Sequence, residues 1–111
     1  MEEQLFNEIR NHFCQRDSQI NIGKMMSSEA ITYRGKVFAF FSRKKKMVFK
    51  LGKDFDPDEY GLDITVFNPF TKRQPLYSWF EVTFSEKEQW EPLAQKALNQ
   101  LKSELWLLKI M

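Results

Sequence analysis

Two side chains that can support nucleophilic catalysis lie close together near the start of the sequence. They are the single histidine, His12, and the single cysteine, Cys14. A cysteine nucleophile needs a base within hydrogen-bonding reach. In the helix predicted for this segment, residues two apart do not face each other, so this pair does not meet. The sequence therefore predicts no catalytic pair here and favours a protein that is not an enzyme.

Acidic side chains in the middle of the chain alternate like the start of a calcium loop: Asp54, Asp56 and Asp58. The sixth loop position is Glu59 instead of glycine, and the twelfth is Thr65 instead of glutamate. A helix start explains these residues better, because Asp56 suits an N-cap, Pro57 the first helical position and Glu59 a capping box. No His/Cys cluster or Gly-rich phosphate loop is present either, so no metal and no cofactor are predicted.

Positive charge is concentrated in one part of the chain. The segment Lys24–Lys53 holds nine Lys/Arg and one acid, a net charge of +8, while the rest holds eight and 14, a net charge of −6. The cations nearest the predicted turns are Arg34, Lys36, Arg43, Lys44, Lys45 and Lys46. Such a cluster can bind nucleic-acid phosphates in a salt-dependent manner. It can also keep a solvated hairpin from pairing edge to edge, and both interpretations stay open.

Another group of side chains suggests a protein partner. Arg73 lies in a loop bounded by prolines, 68–75, beside Tyr77 and Trp79. Its guanidinium either binds an anion or partner, or ties the loop to neighbouring carbonyls or rings. Tyr33, Tyr77 and Trp79 together are candidates for an exposed aromatic surface. Trp106 lies in a run that is apolar on every side, so a homodimer or a docked partner is predicted at that end, with packing of Trp106 against the first helix as the alternative.

Hydrophobic periodicity predicts the elements that position these residues. Apolar residues at three- and four-residue spacing predict a helix over Glu2–Arg16 and another over 86–105, the latter after a capping box at Ser85–Glu88. A very short helix is predicted after Asp56. Strands are predicted at Glu29–Arg34, Lys36–Ser42, Met47–Leu51, Ile64–Phe67 and Tyr77–Phe84. The order α-βββ-α-ββ-α predicts an α+β fold, with a mainly antiparallel five-stranded sheet and packed helices.

Length and composition are typical of one small domain, spanning residues 1–111. The hydrophobic fraction of 42% is enough for a core, which excludes a disordered chain. A single cysteine cannot form an intramolecular disulfide, which favours a reducing compartment. The acidic start, Met1-Glu2-Glu3, predicts no signal peptide, and no apolar run is long enough to cross a bilayer. We therefore expect a cytoplasmic protein without a membrane partner.

Several short segments resemble the N-terminal domain of the TfoX-like family. They are Gly23-Lys24-Met25-Met26, Ala30–Tyr33, Gly35-Lys36-Val37-Phe38-Ala39, Met47–Leu51, Arg73–Val82 and the closing helix Trp90–Leu105. A more distant similarity is to the YjbR-like family, proposed to bind DNA. The TfoX-like resemblance implies an α+β domain and little biochemistry, although the family is named for a regulator of competence for DNA uptake.

Two functions follow as expectations from the sequence. The first is a small non-enzymatic interaction domain that resembles the TfoX N-terminal domain and has a regulatory role. The second is a nucleic-acid-binding domain that uses the basic β-hairpin. In the first the contact residues are Arg73, Tyr77, Trp79 and Trp106; in the second they are the six turn cations.

Overall fold

A six-stranded antiparallel sheet forms the centre of the computed structural model, which describes residues 1–60, 64–68 and 76–110. Its strands are β1 (Ile20–Met25), β2 (Ser28–Tyr33), β3 (Lys36–Phe41), β4 (Met47–Lys50), β5 (Ile64–Phe67) and β6 (Leu76–Val82). The spatial order is β1-β2-β3-β4-β6-β5, and every neighbouring pair is antiparallel. The helices are α1 (Glu2–Arg16) and α2 (Trp90–Ile110), with short 3₁₀ helices at Pro57–Tyr60 and Phe84–Gln89.

The predicted α+β class and antiparallel sheet are confirmed, whereas the predicted count of five strands is wrong. The additional strand is β1, which pairs along its whole length with β2. Asn21 and Gly23 have low strand propensity, and the side chains of β1 are mostly exposed. The segment therefore lacks the apolar alternation that identifies the other strands in the sequence.

Two tight turns connect the first three strands. Met26 and Ser27 join β1 to β2, and Arg34 and Gly35 join β2 to β3; all four have positive φ, at 48°, 69°, 52° and 81°. Two central residues with positive φ match the right-handed twist of the strands that they connect. Glycine adopts this conformation at little cost, which suits Gly35 to its position in the second turn. Met26, Ser27 and Arg34 carry side chains, so a positive φ is strained at these three residues.

A β-bulge in the β2–β3 pair changes which side chains of β3 share a face. Ile31 is opposite Ala39, but Thr32 is opposite Val37, which leaves Phe38 as the extra residue. Without the bulge, side chains would alternate strictly along β3, with Val37 and Ala39 on one face and Phe38 and Phe40 on the other. The structure shows that this prediction is wrong. Phe38 and Ala39 both join the cluster on the helix side, while Val37 and Phe40 lie on the other face.

Both helices pack with one face of the sheet in a single apolar cluster. Phe6, Ile9 and Phe13 contribute from α1, and the buried stripe of α2 includes Trp90 and Leu98. The α-helix begins at Trp90 instead of Glu86, and the predicted capping box lies in the preceding 3₁₀ helix. There the Ser85 hydroxyl contacts the Thr83 hydroxyl, and the Trp90 indole N–H donates to the Thr83 carbonyl at 3.1 Å.

The opposite face of the sheet carries a smaller apolar cluster. Ala30, Phe40, Val48 and Phe67 are buried there, and Trp79 packs against them half-buried. The Phe40 ring lies 5.3 Å from the Phe67 ring and 5.6 Å from the Trp79 ring, measured between centroids. Apolar residues on both faces of β3 predict a central strand with cover on both sides, and the structure confirms this.

Candidate functional site

His12 and Cys14 are engaged separately in packing. The His12 Nε2 atom lies 3.2 Å from a carboxylate oxygen of Glu91 and 2.9 Å from a guanidinium nitrogen of Arg16. The Glu91 contact connects α1 to the first turn of α2, whereas the Arg16 contact lies within α1. The Cys14 side chain is half-buried against the main core. The two side chains therefore have different partners, as expected for helix residues that do not face each other.

The acidic segment around Asp56 serves the backbone. The Asp56 carboxylate accepts a hydrogen bond from the backbone N–H of Asp58 at 3.0 Å, which caps the 3₁₀ helix as predicted. Neighbouring charged side chains of both signs line a depression of about 470 Å³ between this segment and α2. Within the described ranges, no group of three or more His, Cys, Asp or Glu side chains is arranged to hold a metal ion.

The six turn cations divide between opposite ends of β3. Arg34 and Lys36 lie at its beginning, and the Arg43–Lys46 turn lies beyond its end, about 20 Å away at the usual strand rise. Arg34 donates to the Gln19 side chain at 2.6 Å, with its guanidinium 5.4 Å from the centre of the Tyr33 ring. The six residues therefore do not form one continuous surface.

The basic turn itself is well ordered by hydrogen bonds. The Ser42 N–H donates to the Lys46 carbonyl at 2.8 Å, and the Lys45 N–H donates to the Ser42 carbonyl at 3.0 Å. Lys46 is half-buried, and its Nζ atom lies 3.1 Å from a carboxylate oxygen of Glu81. Arg43, Lys44 and Lys45 are exposed and form no ion pair with the described residues. Three of the four turn cations thus remain available to an anionic partner.

The predicted aromatic surface is not present as one patch. Tyr33 is buried on the helix side, where the Lys102 Nζ atom lies 5.2 Å from its ring centre. Trp79 belongs to the cluster on the opposite face, and only Tyr77 is largely exposed. Arg73 and most of the predicted 68–75 loop lie outside the described residues.

The end of α2 presents four large apolar side chains to solvent. Trp106, Leu107, Leu108 and Ile110, together called the α2 end, are exposed by 60%, 54%, 67% and 59%. The alternative in which Trp106 completes the core against α1 is therefore wrong. One turn earlier, Lys102 lies 3.9 Å from Asp17 and Glu104 lies 3.8 Å from Lys50. Leu105 still packs against the main core, so the helix is tied to the rest of the fold up to this residue, and its end extends beyond those contacts.

A groove that the sequence did not predict lies on the sheet face opposite the helices, beside the basic turn. It has a volume of about 320 Å³, and we call it the sheet groove. Its lining includes Met26, Phe40, Arg43, Lys44, Phe67 and Glu81. These residues come from five separate segments, so no local motif marks them. Only the strand pairing brings Met26 and Phe67 to the basic turn.

No helix in the described part of the chain combines the length and apolar character needed to cross a membrane. Comparisons of this chain with protein-family models, with curated proteins and with solved structures find no match.

Proposed function

We propose that this protein is a small non-enzymatic interaction domain, similar to the TfoX N-terminal domain, that forms a homodimer through the α2 end. The observation that carries the proposal is the exposure of Trp106, Leu107, Leu108 and Ile110 on consecutive turns. Large apolar side chains that are exposed together mark interaction sites, because leaving them in water forgoes the free energy of burial. The single cysteine supports a cytoplasmic location for such a domain.

A second copy of the chain is the partner that this surface fits best. Lys109 is the only charged residue between Leu105 and Ile110, so the patch offers little to attract a partner of opposite charge. Trp106 and Ile110 are four residues apart, and Leu107 and Ile110 are three apart, which places them on neighbouring positions of one helix face. Such a stripe can pack against the same stripe in a two-fold, isologous dimer.

Replacing Trp106 with glutamate tests the proposed dimer. We expect the unmodified protein to sediment as a dimer and Trp106→Glu to sediment as a folded monomer, because a buried unpaired carboxylate opposes association. Asn99→Glu is the matched control, since it adds the same charge to an exposed site seven residues earlier. An unmodified protein that stays monomeric at high concentration would contradict the proposal.

A second candidate is nucleic-acid binding by the basic turn, favoured by the exposure of Arg43, Lys44 and Lys45. In this alternative, the triple change Arg43→Ala, Lys44→Ala and Lys45→Asn should sharply weaken DNA or RNA binding and flatten its dependence on salt. Asparagine at position 45 suits the positive φ of 61°. The control is Arg34→Asn with Lys36→Ala, at the other end of β3, where asparagine again suits the positive φ of 52° at position 34. Failure of the unmodified protein to bind at low salt would eliminate this function.

A further inference from the structure

The sheet groove has an apolar base that is already formed. Phe40 and Phe67 are 1% and 8% exposed, and their rings pack edge to face. Met26 stands at the margin of the groove with 46% of its surface exposed. A flexible methionine beside fixed aromatic rings can adapt to apolar groups of different shape. The volume of about 320 Å³ is near the lower limit for ligand pockets and suits one apolar side chain.

The charge around the groove is positive on balance. Arg43 and Lys44 line it and are exposed. Glu81 also lines it, but its carboxylate is mostly buried and lies 3.1 Å from the Lys46 ammonium group. This ion pair cancels the one negative charge among the described residues of the wall. The two remaining cations favour an anionic ligand, and arginine in particular can hold a carboxylate with two parallel hydrogen bonds.

The turn that carries Met26 is held in a costly conformation. Met26 and Ser27 have φ values of 48° and 69°, where glycine, asparagine and aspartate are the usual residues. The two-residue hairpin requires these φ values, and it holds the Met26 backbone in one conformation. Here it places an exposed methionine at the groove.

We infer that the sheet groove binds an acidic segment of a partner protein. One apolar side chain of that segment enters beside Met26 and Phe67, and carboxylates that flank it contact Arg43 and Lys44. Single-stranded nucleic acid fits less well, because base stacking needs open aromatic faces, whereas the most exposed apolar side chain at this groove is the aliphatic Met26. This site is independent of the dimer proposed at the α2 end, since the two share no residue.

The binding test uses short fluorescein-labelled peptides of aspartate and glutamate with one central leucine, measured by fluorescence anisotropy. We expect saturable binding to the full protein, and weaker binding when serine replaces the leucine. Arg43→Ala with Lys44→Ala should lower the affinity by about tenfold or more. Met26→Asn, which suits the left-handed turn, should also weaken binding of the leucine peptide but not of the serine peptide.

Lys45→Asn is the matched control, because it removes a cation from the same turn without altering the groove lining. It should change the affinity for the leucine peptide much less than Lys44→Ala. Equal losses in these two variants would overturn the inference, because they indicate unspecific attraction to the turn. Tighter binding of a single-stranded oligonucleotide, or no binding of either peptide, would also overturn it. Arg43→Ala with Lys44→Ala should sediment like the unmodified protein. This would show that its loss of peptide binding does not come from a change at the α2 end.

Discussion

Among the three described glycines, Gly23 is the one at which the structure leaves the least room for a side chain. A Cβ atom built on it would lie 2.5 Å from the Cγ2 atom of Thr32 on the neighbouring strand. Thr32 cannot easily move away, since its side chain is β-branched and its hydroxyl donates to the Asn21 carbonyl at 3.1 Å. The edge strand β1 can therefore approach β2 in this way only with glycine at this position.

Gly23→Ala should lower the free energy of unfolding by about 1–3 kcal/mol, the usual cost of overpacking. Thr32→Ser removes the obstructing methyl group and keeps the hydroxyl. The double variant should therefore recover most of the loss, as measured by urea denaturation of all four proteins. Additive effects of the two substitutions would show that the contact is not the cause.

Single residues were predictable from the sequence where their chemistry is local. Gly35 in its turn and Asp56 at its cap follow from the properties of those residues alone. Positive φ at Met26, Ser27 and Lys45 was not predictable, because these side chains disfavour it and only the surrounding pairing imposes it. The same is true of the Lys46–Glu81 contact, whose partners are 35 positions apart.

Elements were predictable in proportion to the strength of their periodicity. Helix α1 and strand β5 have the predicted bounds, and β2, β3, β4 and β6 differ by one or two residues at their ends. Helix α2 begins four residues later than predicted. Pro92 falls in its first turn, where a missing N–H costs nothing, so a start at Trp90 is compatible with the proline. The capping-box pattern at Ser85–Glu88 predicted an earlier start, but in the structure these residues belong to the preceding 3₁₀ helix.

The two faces of α2 should respond very differently to truncation. Leu98 is 3% exposed in the main core, whereas Leu107 is 54% exposed. Leu98→Ala should cost about 2–5 kcal/mol through lost burial and a residual cavity. Leu107→Ala should change the stability of the monomer by less than about 0.5 kcal/mol. Chemical denaturation at low protein concentration measures both, and a similar loss in both variants would contradict the assigned faces.

At the scale of the whole molecule, the sheet order decides which residues can act together. Most neighbouring strands are consecutive in the chain, but β6 inserts between β4 and β5 through contacts with β4 that are distant in the chain. This pairing brings Glu81 to the basic turn and separates Tyr33 from Trp79. The sequence therefore showed which residue types could form a functional surface, but not which of those residues lie together in the fold.

The same order predicts a gradient of backbone protection. Strands β3 and β4 lie at the centre of the sheet, each at least two strands from an edge, and should show the slowest amide hydrogen exchange. The two-residue turn after Met25 directs the amides of Met25 and Gly23 toward β2, so those of Ile22 and Lys24 point outward. These two amides should exchange at least as fast as any others in the sheet. Strong protection of both in the dimer would indicate that β1 takes part in the interface.

The outer edge of β1 also has a consequence for how the protein behaves in storage. Lys24 is the only charged side chain on this strand, and Ile22 beside it is 62% exposed. Lys24→Val would produce a flat apolar edge that can recruit further chains into growing aggregates. We expect light scattering to rise over days for Lys24→Val but not for Lys44→Val, with little change in folding free energy for either. One lysine would then account for most of the colloidal stability of this sheet.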